Sequence, residues 1–231
     1  MISENIKDVH SRMEEAEKKA GREPGSARLI AVTKTKPVSD LMEAYKAGER
    51  DFGENKVQEM MEKQPQLPED IRWHLIGHLQ TNKVKYVVGN TYLIHSVDSL
   101  RLAEEISKTA VKRQVSVDIL IEVNAALEES KFGLSLDETL PLIEAVSKLP
   151  NIRIKGLMTI APFTEDAENN RKYFRALKEL SVDIAQKNID NVSMEILSMG
   201  MTGDYQVAIE EGATYVRVGT GIFGMRRYDE L

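Results

Sequence analysis

The feature that most constrains this chain is a regular alternation of short apolar runs with helical patterns. Eight runs rich in Ile, Leu and Val cover residues 29–33, 50–52, 72–76, 92–97, 117–123, 152–160, 194–197 and 215–218. Helical patterns occupy intervening residues 38–47, 99–111, 137–149, 166–186 and 204–210. Strands that alternate with helices predict a parallel sheet, and eight such units predict closure into a (β/α)₈ TIM-type barrel. A doubly wound open sheet is the alternative that this pattern leaves open.

An extra helix precedes the alternation. Apolar residues from Ile2 to Ala20 recur at spacings of three and four and form one stripe, which Gly21 ends. The length of 231 residues suits one barrel, and no linker-like or low-complexity segment divides the chain. We therefore expect residues 1–231 to form a single domain.

Composition excludes several classes of protein and site. The chain has no cysteine, which rules out disulfides, thiolate metal ligands and thiol nucleophiles. A formal net charge of −6 argues against nucleic acid as the main partner. The N-terminus lacks the basic start and apolar run of a signal peptide, and no window approaches the roughly 18 apolar residues of a membrane span. We therefore predict a cytoplasmic protein with no nucleic-acid and no membrane partner.

Two lysines follow the first apolar run, at the edge where such barrels carry their chemistry. Pro37 fixes its own φ and restricts Lys36, so we expect the strand to stop there. Lys34 then falls at the last positions of the strand. Burial there would lower the pKa of its ammonium and provide a neutral amine that can form an imine with an aldehyde. The alternative is that both lysines are solvated loop residues.

Two glycine-rich loops follow the seventh and eighth apolar runs, where barrels often bind phosphate. The glycines that let the backbone approach a ligand are Gly200, Gly203, Gly219 and Gly221. Main-chain N–H groups, together with the hydroxyls of Ser198 and Thr220, can cradle a dianion. These loops therefore predict a phosphate site.

Two side chains at other strand ends have both a structural and a functional interpretation. Asn55 follows the second run and either caps a turn or offers its amide to a ligand. Met158 lies in the sixth run and either packs inside the barrel or contacts a flat ring.

Two motifs match the patterns of known binding sites, but the residues around each motif do not fit such a site. His74 and His78 are four residues apart, but Gly77 interrupts any helix and no acidic third ligand has metal-site spacing, so a packing or loop-ordering role is favoured. Residues 219–224 match G-x-G-x-x-G, but only seven residues follow, too few for the rest of a dinucleotide-binding unit. We reject that interpretation.

Seven ordered segments carry a resemblance to a known family. They are AVTKTKP (31–37), FGENKVQE (52–59), WHLIGHLQ (73–80), SKFG (130–133), GLMT (156–159), LSMGM (197–201) and RVGTGIFG (217–224). On these segments the chain resembles the YggS/PROSC family of pyridoxal phosphate homeostasis proteins, which are similar to a stand-alone barrel domain of alanine racemases. The resemblance spans essentially the whole chain. Thr33 stands where the family often has serine and keeps the hydroxyl.

The resemblance implies a set of cofactor-binding residues. Lys34 matches the residue that holds pyridoxal 5′-phosphate as a Schiff base, with Lys36 as the fallback. Arg217 matches the residue that faces the pyridine nitrogen. Phosphate-binding positions match Ser198, Gly219 and Thr220, next to the close-approach glycine Gly200, and pocket-lining positions match Asn55 and Met158.

The implied function is a cofactor carrier. An arginine facing the ring nitrogen favours the unprotonated ring, which is the weaker electron sink. The racemases resembled here add a second domain and take a base from a partner subunit, whereas this chain stops after the eighth strand. We therefore expect a monomer that binds, protects and releases pyridoxal phosphate without turnover, with pyridoxal-phosphate-dependent apoenzymes as candidate recipients.

Two other functions stay open at this point. One is a weak pyridoxal-phosphate-dependent amino-acid racemase. The other is a cofactor-free barrel enzyme that uses Lys34 as a Schiff base on a phosphorylated substrate. Lys131, after the fifth run, is either a second aldehyde acceptor or a loop cation.

Overall fold

Eight parallel strands close into a barrel in chain order, and β8 pairs with β1. The computed structural model describes residues 1–128 and 131–225, so Ser130 of the SKFG segment lies outside them. The strands are β1 (Arg28–Val32), β2 (Asp51–Glu54), β3 (Arg72–Leu75), β4 (Leu93–Val97), β5 (Val117–Glu122), β6 (Ile152–Met158), β7 (Val192–Met201) and β8 (Tyr215–Val218). The predicted (β/α)₈ barrel is confirmed, and the open sheet is excluded.

Helices surround the barrel between the strands. They are α1 (Ile2–Lys19), α2 (Val38–Lys46), α3 (Val57–Lys63), α4 (Val84–Val87), α5 (Leu100–Arg113), α6 (Leu136–Val146), α7 (Arg171–Ala185), α8 (Tyr205–Glu210) and α9 (Thr220–Phe223). Short 3₁₀ turns cover Gln64–Gln66, Thr81–Lys83 and Ala167–Asn170. The sequence pattern predicted α1, α2 and α5 to α8 and missed the three short helices α3, α4 and α9.

The extra N-terminal helix packs against the outside of the barrel layer. Its predicted stripe is buried at Ile6, Val9, Met13 and Ala16, and it contacts α2, α8 and α9. The Asn5 amide donates to the carbonyl oxygen of Ile222 at 2.8 Å. Within the described residues, no helix combines the length and the apolar character needed to cross a bilayer.

The apolar core is divided by the barrel wall. A large cluster fills the space between the strands and the helices. A smaller one lies inside the barrel and consists of Ile30, Leu93, Leu120, Met158 and Tyr215. The rest of the interior carries buried polar side chains, among them His74, His95 and Arg217. The inside of this barrel is therefore only partly hydrophobic.

The end of β1 positions the first candidate residue. The strand stops at Val32, and Lys34 lies two residues beyond it in a tight turn rather than in the strand itself. Thr35 has a left-handed φ of 63°, and the Lys36 N–H donates to the carbonyl oxygen of Thr33 at 3.1 Å. Val32 and Lys34 both line the cavity at this end of the barrel.

Candidate functional site

A cavity of about 650 Å³ opens where the carboxyl ends of the strands meet. Its volume is within the range typical of small-molecule sites. Five of the predicted site residues line it: Lys34, Asn55, Arg217, Gly219 and Thr220. The apolar side chains of Val32, Ile76 and Ile160 form part of its wall. The structure thus gathers an amine, a guanidinium, an amide and a hydroxyl around one partly apolar space.

The loop that carries Lys34 is held by a buried ionic cluster beneath it. The Lys63 ammonium donates to the Thr33 carbonyl oxygen at 2.8 Å and to Oε1 of Glu54 and of Glu59, each at 2.7 Å. An ammonium has three donors, so these three bonds use all of them. Glu59 also accepts from the Thr35 N–H at 2.5 Å. The residues on both sides of Lys34 are therefore fixed to the same cluster.

Glu54 is the most deeply buried member of this ionic cluster. The residue is fully buried, and its Oε1 accepts from the Thr33 hydroxyl at 2.6 Å in addition to Lys63. Burial raises the pKa of Glu54, while the charge of Lys63 and hydrogen bonds from Lys63 and Thr33 oppose that rise. The Oε2 atom is buried and has no hydrogen-bond partner within the described part of the chain. The sequence did not predict this cluster, because α3, which carries Glu59 and Lys63, was not predicted.

Arg217 forms part of the cavity wall from a buried position in β8. Only 4% of the Arg217 surface is exposed to solvent. One terminal nitrogen donates to Ser198 Oγ at 2.5 Å and the other to the Thr159 carbonyl oxygen at 2.8 Å. Burial lowers the pKa of Arg217 to about 10, while the negative charges of Asp204 and Glu122 oppose that fall. The guanidinium is still a cation at neutral pH, and two acceptors fix its plane.

Three predicted site residues are not among those that line the cavity: Ser198, Met158 and Gly200. Ser198 is fully buried, and its hydroxyl oxygen is occupied by Arg217 and by His95. Met158 belongs to the cluster inside the barrel, as its packing interpretation predicted. A direct contact of the Ser198 and Met158 side chains with a ligand stays a prediction, since neither residue is among those that line the cavity.

Gly200 is needed at its position because a side chain there would clash with α8. Its φ is 91°, and a Cβ there would meet the Ala208 Cβ at 2.6 Å and the Tyr205 Cα at 2.9 Å. The glycine therefore allows α8 to pack closely against β7. The glycine was predicted to let the backbone approach a ligand, whereas the group that approaches it in this structure is a helix of the same chain.

Several further polar groups line the cavity. The Thr220 hydroxyl lies 3.2 Å from that of Thr202, which also accepts from the Gly221 N–H at 3.3 Å. Asp204 accepts from the Met201 N–H at 2.7 Å and from the Asn170 amide at 2.8 Å. Sequence reasoning did not single out Thr202, Asp204 or Asn170. Their position after β7, in a loop already suspected of phosphate binding, was the available signal for the first two.

The other lysines and histidines of interest are held in separate contacts. Lys36 donates to the carbonyl oxygens of Phe223, Gly224 and Met225 at 3.0, 3.2 and 3.3 Å. Lys131 forms an ion pair with Glu128 and donates to the Ala161 carbonyl oxygen at 3.0 Å, which agrees with a loop cation. His74 is fully buried in the barrel, whereas the His78 ring stacks on Phe132 with a centroid distance of 3.8 Å.

Comparison with known proteins places this geometry in a family. The family model described as alanine racemase, N-terminal domain, matches residues 5–227. A pyridoxal phosphate homeostasis protein of Aquifex aeolicus is 46% identical over 226 residues, which are 97% of this chain and 98% of that protein. The chain belongs to the pyridoxal phosphate homeostasis protein family. The Escherichia coli member is 37% identical, over 99% of this chain and 98% of its own length.

Solved structures agree with this family assignment. PipY of Synechococcus elongatus, solved with PLP bound, has a TM-score of 0.85 and 36% identity, covering 97% of this chain and 100% of that one. An alanine racemase of Clostridium difficile shares the barrel with a TM-score of 0.76 at 14% identity, covering 99% of this chain but 58% of the racemase. The family's barrel is therefore that of the racemases, while its members match this chain along nearly their full length.

Proposed function

We propose that this chain binds pyridoxal 5′-phosphate in the cavity at the carboxyl end of the barrel and acts in the intracellular supply of that cofactor. One observation carries the proposal: a single cavity of about 650 Å³ is lined by Lys34, Arg217 and Thr220 together. The family assignment supports it, because relatives at 46% and 37% identity are named pyridoxal phosphate homeostasis proteins.

The side chains present fit the chemistry of this cofactor. The Arg217 guanidinium is a donor suited to an unprotonated pyridine nitrogen. The hydroxyls of Thr202 and Thr220, beside Gly219, offer small polar partners for a phosphate, and Asn55 offers an amide. Val32 and Ile76 provide apolar surface for a flat ring. When bound, the cofactor supplies an aldehyde that condenses reversibly with a lysine amine, and Lys34 is the residue that we assign to it.

We assign supporting roles to the three residues that do not line the cavity. Ser198 holds Arg217 in place through a hydrogen bond of 2.5 Å. Met158 fills the barrel interior beneath the cavity, and Gly200 lets α8 approach β7.

We further propose that the protein holds the cofactor without turnover. A racemase needs acid–base groups on both faces of its substrate. Besides Lys34 and Arg217, the titratable side chains among the described residues that line the cavity are Lys36 and Asp204. Lys36 is bound to three carbonyl oxygens, and Asp204 is bound to Asn170 and the Met201 N–H. A second base in position to act on a substrate is not among them.

Four finer assignments accompany this proposal. We propose one domain over residues 1–231, a monomeric state, a cytoplasmic location and delivery of the cofactor to apoenzymes that depend on it. Light scattering tests the monomer, and fractionation of cells tests the location. Reactivation of a cofactor-free transaminase by the loaded protein, faster than by free cofactor at the same concentration, tests delivery.

The binding proposal is tested by borohydride reduction of the protein with pyridoxal phosphate, followed by peptide mapping. We expect the reduced adduct on Lys34 and its loss in Lys34→Ala. Lys36→Ala is the matched control, because Lys36 lines the same cavity, and it should retain the adduct. An adduct on Lys36 or Lys131 in the wild-type protein contradicts the assignment, and a protein that takes up no cofactor contradicts the function.

The absence of turnover is tested by incubating the loaded protein with alanine in deuterated water. We expect no deuterium at the α-carbon at high protein concentration. Exchange that is lost in Lys34→Ala and is accompanied by formation of the opposite enantiomer of alanine would instead establish a weak racemase.

A further inference from the structure

A continuous chain of hydrogen bonds between buried side chains crosses the interior of the barrel. Arg217 donates to Ser198 Oγ at 2.5 Å, and Ser198 Oγ lies 2.9 Å from His95 Nδ1. His95 Nε2 lies 2.9 Å from His74 Nδ1, and His74 Nε2 lies 2.9 Å from Asp51 Oδ1. The five residues come from five different strands and link the cavity to the opposite end of the barrel.

The two end residues, Arg217 and Asp51, fix the direction in which the hydrogen bonds of this series are donated. A guanidinium has only donors, so Arg217 donates to Ser198. An ionised carboxylate has only acceptors, so Asp51 accepts from His74. Burial would raise the pKa of Asp51, but hydrogen bonds from Arg72 and His74 overcome that effect and lower the pKa to about 2. Asp51 is therefore ionised at neutral pH.

The three middle groups have one consistent arrangement. A neutral imidazole has one donor and one acceptor, and a hydroxyl has one donor. Because His74 donates to Asp51 through Nε2, its Nδ1 accepts from Nε2–H of His95. The Nδ1 of His95 then accepts from the Ser198 hydroxyl. Burial lowers the pKa of both imidazoles, which keeps them neutral and leaves every dipole pointing the same way.

We propose that Ser198, His95 and His74 are positioning residues, which hold the Arg217 guanidinium in one orientation at the cavity through a chain of aligned hydrogen bonds anchored on Asp51. The proposal rests on the proposed function, in which Arg217 faces the ring of the cofactor. Aligned hydrogen bonds polarise one another in a low-dielectric interior. The series of hydrogen bonds therefore makes Ser198 Oγ a stronger acceptor for the Arg217 guanidinium. The far anchor is itself fixed, because Arg72 donates to both carboxylate oxygens of Asp51.

The first test uses the wild-type protein without cofactor. Imidazole ¹⁵N chemical shifts report which ring nitrogen carries the proton. We expect both His74 and His95 as neutral Nε2–H forms at pH 7. A His95 that carries its proton on Nδ1, or on both nitrogens, overturns the proposal without any substitution.

The second test compares two serine substitutions in the barrel. Ser198→Ala removes the link between His95 and Arg217. We expect it to shift the His95 Nδ1 resonance, to weaken pyridoxal phosphate binding about tenfold, and to move the absorbance band of the bound cofactor. Ser96→Ala is the matched control, because Ser96 is buried in β4 next to His95 and its hydroxyl has no partner within the described residues. It should change none of the three.

The outcomes separate this inference from the proposed function. Wild-type affinity and an unchanged band in Ser198→Ala overturn the positioning role, even if Lys34 still binds the cofactor. A wild-type protein that binds no pyridoxal phosphate contradicts the proposed function, and the histidine shifts then decide by themselves whether Arg217 is held as described.

Discussion

The Lys63 ammonium lies 2.8 Å from the carbonyl oxygen of Thr33, the residue immediately before Lys34. Lys63 is nearly buried, and two carboxylates share its remaining donors. An ion cluster of this kind is sensitive to the removal of a single member, since the others are left charged and uncompensated. The loop of Lys34 therefore depends on a residue 29 positions further along the chain.

Lys63→Met should destabilise the fold by about 3–5 kcal/mol, because Glu54 and Glu59 lose their counter-charge in a buried setting. Urea unfolding followed by circular dichroism measures the free energy of unfolding. Lys56→Met is the control, since Lys56 is exposed at the start of α3, and it should change stability by less than about 0.5 kcal/mol. Adding Glu54→Gln to Lys63→Met should restore part of the loss; no recovery would contradict the assigned charge pairing.

Acid should destabilise the protein through Asp51. The folded pKa of about 2 is below the ordinary value of 3.8, so this contribution is present above pH 4 and is lost as pH falls towards 2. It amounts to about 2 kcal/mol. Asp51→Asn should remove that part of the pH dependence between pH 4 and 2. Asp183→Asn, at an exposed position of α7, should leave the wild-type profile intact, and equal profiles for both variants would refute the prediction.

Glu122 should have the opposite effect on the pH profile. Burial and then the nearby charge of Asp98 raise the pKa of Glu122 to about 7, against the attraction of Arg217. Stability is therefore highest below pH 4.5 with respect to this group and falls as pH rises through 7. Glu122→Gln should be more stable than wild type at pH 8, by at most about 3 kcal/mol, and equally stable near pH 4. Urea titrations at both pH values measure the difference, and a constant offset would contradict the raised pKa.

Arg217→Ala should weaken pyridoxal phosphate binding by about 1.5–3 kcal/mol, because a positioned charged donor is lost. Equilibrium dialysis measures the affinity. The control is Arg153→Ala, since Arg153 forms an ion pair with Asp118 on an exposed part of β6. Equal affinity in wild type and Arg217→Ala would rule out the placement of this residue against the cofactor.

Thr220→Val should have a smaller effect on the same affinity, about 0.5–1.5 kcal/mol, since one neutral hydroxyl is removed and the backbone is kept. The release rate of bound cofactor, followed by absorbance after dilution, should rise accordingly. Thr220→Ser keeps the hydroxyl and should behave as wild type. A release rate in Thr220→Val equal to that of wild type would count against the phosphate contact.

The sequence predicted the barrel well because its evidence is local. Each apolar run is a few residues long, and each produced a strand. Lys34 and Arg217 could be singled out because they follow or lie in such strands. The turn after Val32 was harder, since the left-handed φ of Thr35 leaves no signal in a threonine.

The contacts that hold the site could not be predicted in the same way. His74 and His95 are 21 positions apart and meet only because of the register between β3 and β4. Sequence spacing instead suggested His74 with His78, whose side chains lie in different environments. Lys63 was missed because no helical pattern was assigned between the second and third apolar runs, where α3 lies.

The polar interior of this barrel has a consequence for heat resistance. Buried charged and hydrogen-bonded groups are often replaced by apolar side chains of similar volume without loss, and sometimes with a gain, of stability. Variants selected only for a high melting temperature are therefore expected to lose His74 and His95 early. They should be more stable proteins that bind the cofactor less well. In this fold, thermal stability and ligand affinity therefore depend on the same few positions inside the barrel, and selection for one acts against the other.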